Sequence, residues 1–312
     1  MRDSLGDRIK ECYENRCRFY LPRRTYTVMR IDGRAFSTWT RGLKRPYDEA
    51  FQALMDTTTK LFCSKVQGAV CAYTQSDEVS ILLVDFDPEG KKLTTSAWFD
   101  GNVQKLCSVG ASMFTSIFND QVGDFIKDTD QLLRERGPAV FDTRVFIIPD
   151  IVEVYNYFIW RQNDATRNSI QSAAYSFYSD KECHGKNCSE LQEMIFQKGQ
   201  NWNDYPVRFK RGGFIYYDKT ATVGNAVNKK TGEEIEFERP VGWSIYPEIP
   251  VLTSQEGRSW MFSLIPKLPE ISYKEDDRSE EQDWYISKVE NGVATIESVK
   301  YGTISSSKEK HD

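Results

Sequence analysis

The chain has 312 residues, of which 39% are hydrophobic and 28% charged, and its net charge is −5. These values are typical of a globular protein, and no apolar run approaches the ~20 residues needed to cross a bilayer. The first residues lack the apolar core of a signal peptide, so we expect the seven cysteines to be reduced and the protein to be cytoplasmic. Only two histidines, His184 and His311, are present, which argues against a Ser-His-Asp or Cys-His mechanism.

Positive charge is concentrated near the N-terminus. Residues 1–45 contain 12 Lys and Arg but 5 Asp and Glu, whereas the rest of the chain contains 29 Lys and Arg and 41 Asp and Glu. The balance is therefore +7 in the first segment and −12 in the rest. A basic segment of this kind suits a polyanionic substrate, and a solvated basic surface is the alternative interpretation.

The first predicted strand covers residues 25–32 and ends at Gly33. Side chains alternate along a strand, so Arg30 and Asp32 fall on one face and Met29 on the other. The apolar face is expected to be covered by helices. Asp32 is then expected to project from the open face of the sheet.

Five further elements follow in the first half of the chain. Proline suits the first turn of a helix, so Pro46 is predicted to open one, with Asp48 and Glu49 in its first turn. A hairpin with Ser76, Asp77 and Glu78 as its turn comes next, followed by a helix and a strand. The predicted ranges are 69–75 and 79–84 for the hairpin strands, 98–118 for the helix and 139–148 for the strand.

The resulting order, β-α-β-β-α-β, is the ferredoxin-like arrangement, which predicts an α+β fold with an antiparallel sheet and helices on one face. Residues 150–198 are predicted to be mostly helical. Strands are predicted over 208–217 and 233–237, the latter after a turn at 230–232. The acidic segment 274–283 is predicted to be a loop.

Two acidic residues carry the predicted chemistry. Asp32 ends the first strand and Asp77 lies in the central hairpin, so this topology brings them together. Mg²⁺ prefers hard oxygen ligands and few protein contacts, and Asp32, Asp77 and the Gly33 carbonyl would satisfy it, with nucleotide phosphates completing the shell. A pair of such ions activates an attacking hydroxyl and stabilises a leaving phosphate.

Other residues are predicted to hold the triphosphate. Ser76 could donate a hydrogen bond to it, and Lys44 or Arg45 could neutralise it. The alternative is that Asp32-Gly33 and Asp77-Glu78 are ordinary turn sequences with no metal.

At these positions the chain resembles the tRNA-His guanylyltransferase family, over roughly residues 5–217. The motifs that carry the resemblance are RIDGRAF at 30–36, YTQSDEVS at 73–80, FDTR at 141–144, WRQNDATRNSI at 160–170, HGKN at 184–187, KGQNWNDYP at 198–206 and KRG at 210–212. The resemblance implies a palm similar to those of polymerases and nucleotidyl cyclases, with a helical tRNA-binding region. The implied domains are a catalytic palm over 1–149, a completing region over 150–217 and a C-terminal extension of unknown role over 218–312.

The resemblance also implies a reaction. In this family the 3′-hydroxyl of a nucleoside triphosphate attacks the activated 5′ end of an RNA, which grows in the 3′-to-5′ direction. A 5′-monophosphate end is first activated with ATP. The implied partners are tRNA, ATP and GTP or another NTP, two Mg²⁺ ions and further copies of the chain in a tetramer.

The implied site residues fall into three groups. The metal ligands are Asp32, the Gly33 carbonyl and Asp77, with Glu78 as a further catalytic residue. The implied nucleotide-binding residues are Asp32, Gly33, Arg34, Ala35, Phe36, Ser37, Ser76 and Asp77, and the cations Lys44 and Arg45, proposed above from their charge, complete this group. The implied tRNA contacts are Arg161, Arg167, Lys198, Lys210 and Arg211.

One departure from the family pattern bears on the substrate. Eukaryotic tRNA-His enzymes carry a His-Ile-Asn-Asn stretch after the WRQ segment, and the corresponding residues here are 166–169, with Thr166 in place of the histidine. This favours the guanylyltransferase-like branch, whose members repair tRNA 5′ ends by copying the opposite strand. Untemplated addition of G to tRNA-His, a nucleotidyl cyclase and a catalytically silent RNA-binding protein are the alternatives.

Overall fold

The computed structural model describes residues 4–92, 94–126, 136–227, 234–270, 284–290, 293–300 and 303–305. The chain divides into two compact units, residues 1–269 and 270–312. The predicted turn at 230–232 and acidic loop at 274–283 lie outside the described residues. In the described parts of the chain, none of the helices combines the length and the apolar character that a membrane span requires.

The first unit is built on a six-stranded antiparallel sheet in the order β4-β1-β3-β2-β5-β6. The strands are β1 Tyr26–Gly33, β2 Ala69–Gln75, β3 Glu78–Val84, β4 Phe141–Ile148, β5 Gly213–Val227 and β6 Glu234–Tyr246. The predicted strands of the β-α-β-β-α-β pattern and the α+β fold class are confirmed. The predicted domain boundary at residue 217 falls within β5.

Nine described segments are α-helical. They are α1 Ser4–Cys12, α2 Phe36–Trp39, α3 Glu49–Cys63, α4 Val103–Phe125, α5 Ile151–Tyr175, α6 Asp180–Cys183, α7 Cys188–Gln197, α8 Val207–Arg211 and α9 Gln255–Leu264. Pro46 does not open α3 as predicted. Instead, the Asp48 side chain accepts a hydrogen bond from the Phe51 N–H at 2.9 Å and caps the helix, which begins at Glu49.

Helices α3 and α4 cover one face of the sheet. Met29 and Ile31 of β1 are fully buried there among residues of α3 and α4, including Leu54 and Phe114. Gly110 lets α4 approach closely, because a Cβ at this position would lie 3.3 Å from the Met29 sulfur. The apolar face of β1 is therefore packed as the alternation predicts.

The opposite face is not open along its whole length, contrary to the prediction. Tyr26 and Val28 of β1 are buried on this face against Val154 and Phe158 of α5 and against Met261 of α9. The 25-residue helix α5 carries an apolar stripe at helical spacing, and burying that stripe covers the sheet. The polar positions at the end of β1, Arg30 and Asp32, lie beyond this apolar cluster.

The segment from Arg208 to Tyr217 was predicted as one strand, and this prediction is wrong in its first half. Residues 207–211 form α8, and β5 begins only at Gly213. Gly212 makes the change of direction with a φ of 79°, and a Cβ there would lie 2.6 Å from the Thr74 carbonyl oxygen. Local sequence pattern alone did not reveal this turn.

The second unit contains three described strands, β7 Trp284–Glu290, β8 Val293–Lys300 and β9 Thr303–Ser305. They pair in an antiparallel sheet in the order β7-β8-β9.

A buried ion pair attaches α8 to α3. Arg208 Nη2 donates to Asp56 Oδ1 at 2.7 Å and Nε donates to Oδ2 at 3.0 Å, and both side chains are buried. The Thr74 hydroxyl donates to the same carboxylate at 2.7 Å. The start of β5 therefore depends on a charge pair that is shielded from water.

We predict that Arg208→Met lowers the free energy of unfolding by about 3–5 kcal/mol, because it leaves the Asp56 carboxylate buried without its cation. Urea denaturation followed by circular dichroism measures this change. Arg258→Met, at an exposed arginine of α9, is the control and should change stability by less than about 0.5 kcal/mol. A loss below about 1 kcal/mol for Arg208→Met would contradict the importance of the pair.

Candidate active site

Six polar or charged side chains share the face of the sheet beyond the apolar cluster. Strand register places Asp32 opposite both Glu78 and Asp142, and Arg30 opposite both Ser80 and Arg144. Directly opposed residues of antiparallel strands project from the same face. The candidate active site is this group on the three neighbouring strands β4, β1 and β3, together with the Ser76-Asp77 turn that precedes β3.

Asp32 is partly accessible, with 35% of its side chain exposed. Arg144 Nη2 lies 3.9 Å from Asp32 Oδ2 and donates to Asp142 Oδ1 at 3.3 Å. Arg144 is itself half-exposed, so a cation and a carboxylate meet at the surface of the site. Arg144 ends the FDTR motif, and from the sequence it was expected to support the active-site strand rather than to contact substrate.

The chain turns sharply after β1. Gly33 is required there, because a Cβ would collide with the Phe36 ring, and Ala35 has a φ of 55°. The Arg34 N–H donates to the Val140 carbonyl at 2.8 Å and ties the turn to the residue before β4.

The predicted nucleotide-binding stretch after Asp32 therefore divides into two kinds of residue. Arg34 and Ser37 are exposed. Phe36 is buried against the rings of Trp39, Phe118 and Phe141, so its side chain supports the turn and only its backbone could contact a phosphate.

Asp77 lies in the tight turn between β2 and β3. Ser76 has a φ of 47° and is exposed, whereas Asp77 is half-buried. Loss of solvent raises the pKa of Asp77 from its ordinary value of 3.8 to about 6, and the negative charges of Asp32 and Glu78 act in the same direction. Hydrogen bonds from its own backbone and from the Ser76 side chain oppose this rise. Asp32 and Asp77 are therefore close enough to influence each other electrostatically.

Glu78 is buried and is held by two arginines. Arg161 Nη1 lies 3.0 Å from each carboxylate oxygen, and Arg30 Nη2 lies 3.1 Å from Oε2. Arg161 was predicted to contact tRNA, but the position of its side chain, buried in this pair, does not support that prediction. Arg161 also lies on the inner stripe of α5, seven residues after Val154 and four before Ala165, so its burial could have been inferred from spacing.

The other predicted tRNA contacts differ in accessibility. Arg167 and Lys198 are exposed; Arg167 pairs with Asp164 within α5, and Lys198 Nζ lies 5.0 Å from the centre of the Tyr178 ring. Lys210 is buried and donates to the Asn203 carbonyl, and burial lowers its pKa. Its prediction as an RNA contact is therefore not supported by the position of its side chain. Arg211 is half-buried, and its Nε lacks a hydrogen-bond partner.

Lys44 and Arg45, the predicted cations for the triphosphate, are exposed in the segment between α2 and α3. The Lys44 N–H donates to the Asp48 carboxylate at 3.0 Å, which fixes the backbone of this segment to the start of α3. Their ammonium and guanidinium groups remain available to an anion.

The oxygen donors of the site suit magnesium. Asp32, Asp77 and the Gly33 carbonyl offer hard oxygen atoms, and a cation between the two carboxylates would offset their mutual repulsion. Among the described residues, no group of three or more His, Cys, Asp and Glu side chains could hold a metal by itself. A magnesium ion here would therefore need additional ligands from the substrate, as Mg²⁺ bound to nucleotide phosphates has.

Comparisons with known proteins agree with this fold. The family model described as tRNAHis guanylyltransferase matches residues 6–149. A bacterial tRNA(His) guanylyltransferase (Thg1)-like protein, solved in complexes with ATP and with GTP, is 35% identical, and the match covers 84% of this chain and 99% of that chain, with TM-scores of 0.68 and 0.62.

Two curated relatives extend the comparison. An uncharacterised protein of Acanthamoeba polyphaga mimivirus is 30% identical over 73% of this chain and 82% of its own length. The tRNA(His) guanylyltransferase of Kluyveromyces lactis is 27% identical over 61% of this chain and 82% of its own length.

We predict that Asp77→Asn stabilises the metal-free protein above pH 6. A carboxyl whose pKa is raised on folding favours the folded state when protonated, and this contribution is lost as pH rises from about 4 to about 6. The variant carries no charge at this position, so its advantage over the parent should grow across that interval and then level off. Urea denaturation in EDTA between pH 4.5 and 8 measures it.

We expect Ser76→Ala to change the pH dependence of stability in the direction opposite to Asp77→Asn. It removes a hydrogen bond that lowers the pKa of Asp77, so it should enlarge the loss of stability between pH 4.5 and 8 rather than abolish it. A pH dependence in Asp77→Asn equal to that of the parent would show that Asp77 is not the group responsible.

Proposed function

The chain belongs to the tRNA(His) guanylyltransferase family and is thus a nucleotidyltransferase, and we propose that it repairs tRNA 5′ ends by templated 3′-to-5′ nucleotide addition. The observation that carries this proposal is Thr166, which stands where the resemblance places a histidine in eukaryotic tRNA-His enzymes. The high coverage of the bacterial Thg1-like protein, 99% of its length, supports the same branch.

The proposal assigns roles to the residues of the candidate active site. Asp32, the Gly33 carbonyl and Asp77 would hold Mg²⁺, which when bound lowers the pKa of an attacking hydroxyl and stabilises a leaving phosphate. The exposed Ser76 hydroxyl would donate to the triphosphate, and Lys44 or Arg45 would neutralise it. Arg144 lies beside Asp32 and is accessible, so we add it as a second cation for the phosphates.

Glu78 has a different role in this proposal. Its carboxylate is already neutralised by Arg30 and Arg161, so it positions the start of β3 rather than exchanging a proton with substrate. Because Glu78 follows Asp77 directly, the same ion pairs fix the turn that carries Asp77. Glu78 is therefore proposed as a positioning residue, in place of the catalytic role predicted from sequence.

The proposal includes the substrates and setting that the resemblance implies. ATP would activate a 5′-monophosphate end, and a 5′-triphosphate end would react directly. Arg167, Lys198 and Arg211 remain as proposed tRNA contacts. A cytoplasmic homotetramer is expected, with residues 1–149 as the catalytic palm, 150–217 completing it and 218–312 as an extension.

Untemplated addition of G to tRNA-His is the second candidate. The observation that favours it is that relatives such as the Kluyveromyces lactis protein, 27% identical, are named tRNA(His) guanylyltransferases. The two candidate reactions differ in whether the base of the opposite strand determines which nucleotide is added. A nucleotide-addition assay measures this directly.

We predict that Asp32→Ala and Asp77→Ala each reduce nucleotide addition by at least about 100-fold while the protein stays folded, because each removes a metal ligand. Single-turnover addition with Mg²⁺ measures the rate, and circular dichroism verifies the fold. Asp120→Ala is the control, since Asp120 is an exposed carboxylate on α4, which covers the opposite face of the sheet. Full activity in either ligand variant would contradict the metal assignment.

For the templated reaction, we predict that a tRNA lacking its first 5′ nucleotide receives only the nucleotide complementary to the opposite strand. Each NTP is tested separately with Mg²⁺, on 5′-monophosphate and 5′-triphosphate RNA, and only the monophosphate form should require ATP. Addition of G whatever the opposing base would establish the tRNA-His reaction instead. A cyclic nucleotide formed without RNA would establish a cyclase.

A further inference from the structure

Trp160 is a large aromatic side chain that remains half-exposed, at 50%, on the helix that covers the sheet. It lies on α5, whose neighbouring residues Tyr157, Phe158 and Arg161 are all buried. The indole therefore stands at the boundary between the packed stripe of α5 and solvent. Neither the metal site nor the proposed tRNA contacts give it a role.

The indole is held in a defined orientation. The guanidinium carbon of Arg161 lies 3.5 Å from the ring centre, and the Tyr157 ring meets the indole edge-on at a centroid distance of 5.8 Å. Arg161 cannot move freely, because Glu78 holds it through both carboxylate oxygens. One face of Trp160 is thus covered by a fixed cation, and the exposure of the side chain leaves ring surface for a ligand.

The same contacts connect Trp160 to the candidate active site. Arg161 joins it to Glu78, which lies opposite Asp32 in strand register. On the other side, Tyr157 bonds to the Ser80 hydroxyl at 2.7 Å and packs against Phe146 of β4 at 5.7 Å. Ser80 lies opposite Arg30. Trp160 is therefore anchored to both strands that border β1.

We propose that Trp160 is a stacking subsite for a nucleobase beside the metal-binding face. A planar base stacks on an exposed aromatic ring without needing a specific pattern of hydrogen bonds, and bases stack on arginine guanidinium planes in the same way. A rigid platform loses little conformational entropy when the base arrives. This inference rests on the proposed function and adds to it a contact with the base, either of the nucleoside triphosphate or of the RNA end.

A thermodynamic cycle that combines a change in the protein with a change in the ligand tests the contact between Trp160 and the base. Binding of ATP is compared with binding of ribose 5′-triphosphate, which lacks the base, and binding of tRNA is compared with tRNA carrying an abasic 5′-terminal nucleotide. Both pairs are measured by calorimetry or anisotropy in Mg²⁺, with the full-length parent and with Trp160→Ala. In one of the two pairs, we expect Trp160→Ala to weaken binding of the intact ligand about tenfold and to leave the base-free ligand unaffected.

Two further variants control the cycle. Trp160→Phe keeps an aromatic face and should recover most of the lost affinity. Tyr175→Ala alters a side chain of similar exposure, 47%, on the same helix but 15 residues, or ~22 Å, away, and should leave every affinity unchanged. Circular dichroism and sedimentation establish that fold and oligomeric state are retained.

The outcomes separate the possible sources of the base. Coupling in the ATP pair assigns the subsite to the nucleotide, and coupling in the tRNA pair assigns it to the RNA. No coupling in either pair, or an altered oligomeric state as the only effect of Trp160→Ala, overturns the proposal. Binding is measured without turnover, so a parent protein that binds both ligands but adds no nucleotide would overturn the proposed function alone.

Discussion

The burial of the Glu78 carboxylate constrains the whole candidate active site. A carboxylate removed from water is stable only when it is neutralised, and here Arg30 from β1 and Arg161 from α5 supply the two cations. These ion pairs join the strand that carries Asp32, the strand that follows Asp77 and the helix that covers the sheet. The geometry of the site therefore follows from the need to compensate one buried negative charge.

In the described part of the chain no arginine or lysine is paired with the neighbouring Asp77, and this contrast explains its raised pKa. Asp77 and Glu78 are adjacent in sequence, but both arginines contact Glu78. The pKa of Asp77 therefore stays raised by the loss of solvent and by two nearby negative charges. The fold thus maintains one carboxylate that is compensated by arginines and one that is not, and the second is the proposed metal ligand. A divalent cation bound at Asp77 would compensate the second carboxylate without displacing the arginines from the first.

The sequence predicted those features that depend on local pattern. Strands β1 to β4 and helices α3 and α4 follow from alternation, helical spacing and turn residues, and the same patterns place Asp32 at the end of β1 and Asp77 in the turn before β3. The packing of α5 on the second face of the sheet was not predicted. Its apolar stripe indicates that the helix is buried, but it does not indicate which surface the helix packs against. The start of β5 was misplaced because α8 is held by Arg208 and Asp56, residues 152 positions apart in the chain.

Burial also decides which cations remain for a polyanion. Arg161 and Lys210 looked like RNA-binding residues in sequence, but their charges are used inside the protein. In the N-terminal segment, by contrast, Arg8, Lys10 and Arg16 belong to elements without any buried residue. That segment has a charge of +7 against −12 for the rest of the chain. If the proposed function holds, long-range attraction of RNA would come mainly from this segment, and the interior arginines would act indirectly, by fixing the proposed metal-binding turn.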